Sequence, residues 1–180
     1  MYFEAAGKHN TEKTVELALK TARERGIGHI VVASNTGCTA GFLKNATDLE
    51  RVCVTHVNGF KQPGQNEMPE DVRNQLVQSG MKVLTTTHVL SGAERGISRK
   101  SGCTYPVEIM AHTLRMFGQG VKVCVEIAVM ALDAGLIPYG QPVIAIGGTG
   151  RGADTAVIIT PAHASNILDT RIHEIICKPY

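Results

Sequence analysis

Tryptophan is absent from this chain, and only four Phe and four Tyr stand among its 180 residues. That leaves few of the flat faces on which nucleic-acid bases stack. Charge of one sign is scarce as well: the formal net charge is +2, too small a field to recruit a phosphate backbone. Nucleic acid is therefore not an expected partner. No apolar run nears the roughly 20 residues that cross a bilayer as a helix. The opening "MYFEAAGKHNTEKT" is charged and has no apolar stretch of the kind a signal peptide carries. No C-x-x-C pair and no Cys/His cluster occurs among the five cysteines (Cys38, Cys53, Cys103, Cys124 and Cys177), which argues against zinc and against any metal. Cys53, Cys124 and Cys177 lie in apolar runs, as buried reduced thiols do, so a cytoplasmic protein with no membrane contact is expected.

What is present is ordinary for a globular protein: 43% apolar and 19% charged residues. The length suits one domain over residues 1–180 with a substantial core. From Thr11 the pattern T-x-x-T-V-E-L-A-L-K-T-A-R-E-R-G reads as an amphipathic helix closed by Gly26. Strands are expected near 30–34, 52–56, 82–86, 143–146, 156–160 and 173–177, from β-branched enrichment and length. Helices are expected at 39–46, 70–79, 106–118 and 121–134. Strands alternating with helices on connections this short predict an α/β fold, a mostly parallel sheet covered on both faces in three α/β/α layers. Two stretches, 57–69 and 89–106, read as long irregular loops of functional or mobile character. With Gly92, Gly96 and Gly102 among charges such as Arg95 and Arg99, the second reads as a hinged lid over a ligand.

The helix at 121–134 is apolar on nearly every side. Such a helix needs cover all round, first of all as a central packing element and secondly as a contact between copies in a homo-oligomer.

Two stretches carry the chemistry. "ASNTGCTAGFL" (33–43) follows a β-branched strand and precedes a helix. The hydroxyls of Ser34, Thr36 and Thr39, with the backbone N–H groups from Asn35 through Gly37 and Cys38, suit an anion, because the first N–H groups of a helix have no internal partner. Cys38 stands at the same helix start, as a small residue fitting the turn. "GGTGRGADT" (147–155) brings Gly147, Gly148, Thr149, Gly150, Arg151 and Gly152 after another strand. Its glycines permit close backbone approach to a ligand, and its arginine suits a phosphate. It is neither a P-loop nor a dinucleotide fingerprint, since no G-K-[ST] and no helix follow. Either loop alone reads equally well as a plain turn. If the strands before them are neighbours, both project over one crevice where the strand order reverses.

The residues that carry these readings resemble a known family, the C-terminal α/β domain of pyruvate kinase. "A-S-N-T-G-C-T-A-G-F-L" is similar to that domain's turn T-x-S-G-x-[ST]-A-x-x-[LI], which holds a phosphate of an allosteric sugar bisphosphate. "A-L-D-A-G-L-I-P-Y-G-Q-P-V-I-A-I-G-G" (131–148) is similar to its helix–loop–strand segment, and "G-R-G-A-D-T-A-V-I-I-T-P" to its G-S-G-x-[TS]-N-T-x-x-V loop. The resemblance runs from about Thr11 to Thr160. The catalytic barrel of pyruvate kinase has no counterpart here, which implies that pyruvate kinase activity is absent. The small stand-alone proteins of this kind imply a bound flavin mononucleotide, FMN. Asp154 and Thr155, in the place of the family's Asn-Thr pair, are then expected either to meet the ribityl chain or to end the turn. His56 and His88, at or just past strand ends, are expected beside the crevice, more readily as hydrogen-bonded loop residues than as acid–base catalysts. Three readings stay open: a flavin-binding protein with a redox or sensing role, a sugar-phosphate-binding regulatory module, and a flavin-dependent enzyme.

Overall fold

The computed structural model describes residues 1–180. The chain runs through β1 (Tyr2–Phe3), α1 (Thr11–Glu24), β2 (His29–Ala33), α2 (Cys38–Gly41), β3 (Glu50–Val54), α3 (Glu70–Gln78) and β4 (Lys82–Leu84). Three helices follow without a strand between them: α4 (Gly92–Ser101), α5 (Pro106–Arg115) and α6 (Gln119–Asp133). β5 (Val143–Gly147), β6 (Thr155–Thr160) and β7 (Arg171–Pro179) complete one sheet of order β1-β7-β6-β5-β2-β3-β4. β2 lies parallel to β3 and β5, β3 to β4, and β1 to β7, while β6 runs antiparallel to both its neighbours.

Side-chain alternation along the strands divides the interior in two. Ile30, Val32, Cys53, Ile144 and Ile146 face α1 and α3, meeting Val15, Ala18, Ala22 and Leu76. Val31, Val52, Val54, Val143 and Ala145 face the other way, onto Cys124, Val125, Ile127, Ala128 and Ala131 of α6. The continuous apolar character of β2 and β5 follows from burial on both faces. Each fully buried Ile or Val among these contributes about 1.5–3 kcal/mol. The layers are those expected of an α/β/α domain.

α6 has 12 of its 15 residues buried. The sheet and α5 cover it within one chain, so its apolar surface is accounted for as core, without a second copy.

Two expectations are corrected. The helix expected at 39–46 is a single α-turn; beyond Gly41 the chain continues in tighter i→i+3 turns, Leu43 to Ala40, Lys44 to Gly41 and Ala46 to Leu43. Arg51 reinforces this by donating to the carbonyls of Leu43 and Lys44 at 3.1 and 2.6 Å, which a longer helix would spend on its own N–H groups. The stretch 89–106 is not a loop, because α4 occupies most of it. Glu94 accepts from the N–H groups of Val107 and Glu108 at the start of α5, at 2.7 and 3.2 Å. Ser98 donates to Glu108 at 2.8 Å, and Leu90 N–H to Glu126 at 3.0 Å. These ties fix α4 against α5 and α6 and leave no hinged lid.

Candidate functional site

Val32 of β2 stands opposite Ile146 of β5 in parallel register. The segments after Ala33 and after Gly147 therefore leave the sheet at the same edge, about 4.8 Å apart. Chain order makes this a switch point: from β2 the chain winds outward through β3 and β4, then returns to the opposite side of β2 as β5. Ligand crevices in open α/β sheets form at such reversals. The two loops singled out in the sequence do converge.

The first loop is a nest of amides. Ser34 N–H donates to Val54 O at 3.0 Å, and Ala40 N–H to Ser34 Oγ at 3.2 Å. Between them the N–H groups of Asn35, Thr36, Gly37, Cys38 and Thr39 donate to no protein atom. Five consecutive unspent donors, more than one helical turn provides alone, are the donor set that suits an anion. Gly37 gives the loop its shape: φ is 87°, and a Cβ there would lie 2.3 Å from Val72 Cγ1 of α3. Ser34, 4% exposed, spends its hydroxyl inside the loop. Thr39 is also nearly buried, yet its hydroxyl has no protein partner. Thr36 is exposed and donates to Cys38 Sγ at 3.4 Å.

The second loop is held from within. Asp154 is fully buried and accepts from Gly7 N–H (3.0 Å), Thr149 N–H (3.1 Å) and the Thr155 hydroxyl (2.8 Å). Asp154 and Thr155 thus organise the turn, and the expected contact with a ribityl chain is corrected: neither side chain has surface to offer. Gly148 and Gly152 are small for packing reasons too; a Cβ would meet Gly152 O at 2.4 Å in the first case and Thr11 Oγ1 at 2.4 Å in the second. Gly147 likewise packs against Gly120 O. Only Gly150, at φ 76°, faces open space. The N–H groups of Gly148, Gly150, Arg151 and Gly152 and the exposed Arg151 guanidinium remain without partners. The start of α6 reaches the same edge, with the N–H groups of Gln119, Gly120 and Val121 unspent and the positive end of its dipole nearby.

The next strand ends complete the rim. Thr55 and Thr85 hydroxyls meet at 2.7 Å, and Arg73 of α3, one residue past the Val72 that backs Gly37, donates to Thr85 at 2.5 Å. His88 accepts from Val57 N–H at 3.1 Å through Nε2, and burial pushes its pKa below the usual imidazole value. His56 Nδ1 stands 2.5 Å from Glu67 Oε2, while Lys61 Nζ takes Glu67 Oε1 at 2.5 Å. Burial opposes ionisation of Glu67, but these two partners outweigh it and hold the carboxyl below its ordinary value. Phe60, half exposed, packs on His56 with ring centroids 3.8 Å apart. Glu67, Arg73 and Phe60 escaped the sequence reading, since nothing in their spacing announces that the 57–69 segment folds back onto β3.

No three His, Cys, Asp or Glu side chains cluster closely enough to hold a metal. Two further clefts are present, the first sharing His88 with the rim. One of about 440 Å³ runs between residues 86–94 and Met130–Ala134, and one of about 290 Å³ is lined by Arg95, His112 and Arg115. Arg95 faces that second cleft, not the loops at 34–39 and 147–152.

Residues 12–159 match the family described as pyruvate kinase, alpha/beta domain. Among solved structures, a pyruvate kinase from Cryptosporidium parvum is 16% identical with a TM-score of 0.43, over 84% of this chain and 23% of its own. The Cryptosporidium parvum pyruvate kinase in complex with ADP is 15% identical with a TM-score of 0.42, over 82% of this chain and 22% of its own. The chain thus spans less than a quarter of the length of these kinases.

Proposed function

The chain belongs to the pyruvate kinase alpha/beta-domain family, and from that premise we propose that it binds a phosphorylated small molecule, FMN first among them, in the crevice between the 34–39 and 147–152 loops. The observation that carries the reading is the run of five unspent N–H groups from Asn35 to Thr39. Hydrogen bonds to a charged group contribute about 1.5–3 kcal/mol each, so this nest favours a dianion without needing a lysine. The donor set fits the phosphate of FMN, and the Thr39 hydroxyl adds one neutral donor. For the ring, Phe60 and the His56 imidazole supply apolar cover at one side of the crevice. When bound, the flavin would supply redox chemistry or a light- and redox-sensitive signal; its role here is a redox or sensing one in a cytoplasmic protein.

A sugar-phosphate-binding regulatory module is the second reading. The unspent amides around Gly150 and the exposed Arg151 favour it, because they offer polar groups where a flavin ring would prefer a flat apolar surface. A visible absorption spectrum of the purified protein, followed by FMN titration in a calorimeter, separates the two. Flavin bands or tight FMN binding support the first reading. A colourless protein that ignores FMN but binds a sugar phosphate supports the second. Binding of neither ends both.

A further inference from the structure

We propose that His56 and Glu67 form a proton-accepting pair of the crevice, with His56 Nε2 receiving a hydrogen bond from an O–H or N–H of the phosphate-anchored ligand. The inference rests on the phosphate reading of the 35–39 nest and extends it to the part of the ligand beyond the phosphate.

Position comes first. Ala33 stands opposite Val54, and Ser34 N–H still bonds to Val54 O. One residue further along each chain lies the nest on one side and Thr55–His56 on the other. His56 therefore begins about one strand spacing from the amides that face the anion.

Orientation follows from chemistry. The Glu67 side chain is 9% exposed, and the His56 side chain 26%. An ionised carboxylate only accepts hydrogen bonds, so the ring nitrogen facing it, Nδ1, carries a proton. In the neutral ring Nε2 is then left as a lone pair, and it has no protein partner. Lys61 on the second oxygen of Glu67 holds the carboxylate in place and keeps it charged.

The surrounding loop is built to deliver this arrangement. Gly59 N–H donates to Gln65 O at 2.9 Å, Asn66 Nδ2 to Asn58 Oδ1 at 2.9 Å, and Met68 N–H to Asn66 Oδ1 at 2.8 Å. These bonds fold residues 57–69 back so that Glu67 returns to the residue that precedes the loop. His88, whose ring lies 5.4 Å from that of His56, fixes the start of the loop through Val57 N–H. The ligand class that fits is a phosphate ester carrying a hydroxyl or an imide N–H, as sugar phosphates and FMN both do.

Ring ¹⁵N–¹H correlation spectra of the intact chain test this with three probes: inorganic phosphate, FMN and fructose 1,6-bisphosphate. Phosphate alone should move the amide signals of residues 35–39 and leave His56 Nε2 with the shift of a bare imine nitrogen. FMN or the sugar bisphosphate should move the same amides and shift Nε2 toward a hydrogen-bonded value at the same midpoint. Glu67→Gln should convert part of the ring to the Nε2–H form, because an amide can donate to Nδ1. Its affinity for the ester should fall about five- to tenfold, with affinity for inorganic phosphate unchanged. His56→Asn gives the same selective loss without the tautomer change. If an ester moves the nest amides while His56 Nε2 stays still, this pair is structural and the inference is overturned. If no probe moves the nest amides, the phosphate reading fails and the inference falls with it.

Discussion

Thr39 concentrates the argument at the scale of single residues. It is nearly buried, faces no protein acceptor or donor, and sits at the last amide of the nest. Thr36 stands at the nest's exposed lip. The double variant Thr36→Ala, Thr39→Ala removes two neutral hydroxyls and none of the backbone donors. Affinity for FMN or a sugar phosphate should drop by about 1–1.5 kcal/mol per hydrogen bond lost, measured by titration calorimetry. Unchanged affinity would place the phosphate elsewhere. Residue identity in the sequence singles out this loop, because small hydroxylated residues and glycines after a β-branched run are what an anion-binding turn requires. Of the two expectations for Asp154 and Thr155, the structure gives the one in which they end the turn. Two of the three hydrogen bonds that Asp154 accepts come from Gly7 and Thr149, and no local pattern reveals a partner 147 residues away.

Among elements, the 57–69 segment and the 85–91 connection are the ones whose stability should respond to acid. Glu67 has its pKa depressed in the folded state, so it contributes stability above its unfolded value near 4.5, and that contribution is lost as pH falls through the folded value. His88 is depressed by burial. Below its unfolded value near 6.5 the unfolded chain takes up a proton that the folded chain refuses, and stability falls as pH falls. Both groups therefore act in the same direction, His88 from about pH 6.5 downward and Glu67 below about 4.5. Hydrogen exchange, corrected for intrinsic rates, should show protection in these two segments declining in that order. His88→Gln, which can still accept from Val57 N–H, should remove the upper step; Glu67→Gln should remove the lower. A profile flat to pH 4 would contradict the account. α4 shows why this region was hard to read from sequence. Its glycines and charges suggested a loop, yet Glu94 in its first turn and Gly102, in the left-handed region at its end, are ordinary helix punctuation. What makes the helix stable is its docking on α5 through Glu94 and Ser98, a tertiary term that local propensity does not contain.

For the whole molecule, the crevice is a product of winding order and not of either loop. The parallel β2–β5 pairing was an assumption at the level of sequence, since periodicity identifies strands but does not say which are neighbours; the register supplies it. A ligand held at that seam, as proposed, would join the two halves of the sheet, the β2–β3–β4 side and the β5–β6–β7 side. A ligand that binds only the folded chain adds about 2.7 kcal/mol at a hundredfold excess over its Kd. In a chain of this size each kcal/mol moves Tm by about 2–4 °C, so saturating FMN, or a sugar phosphate, should raise Tm by roughly 5–10 °C. Gly37→Ala is the decisive control. Its Cβ would fall 2.3 Å from Val72 Cγ1, at a φ of 87° that alanine resists, so the nest must open even where the sheet survives. That variant should lose some stability of its own and all of the ligand-induced rise. Gly150→Val makes the comparison, because its side chain would project into open space and disturb only a backbone angle at φ 76°. It should retain a smaller rise, not lose it. A Gly37→Ala protein that folds and still gains the full shift would show that the ligand is held without the nest, and the functional reading would have to move to another part of the fold.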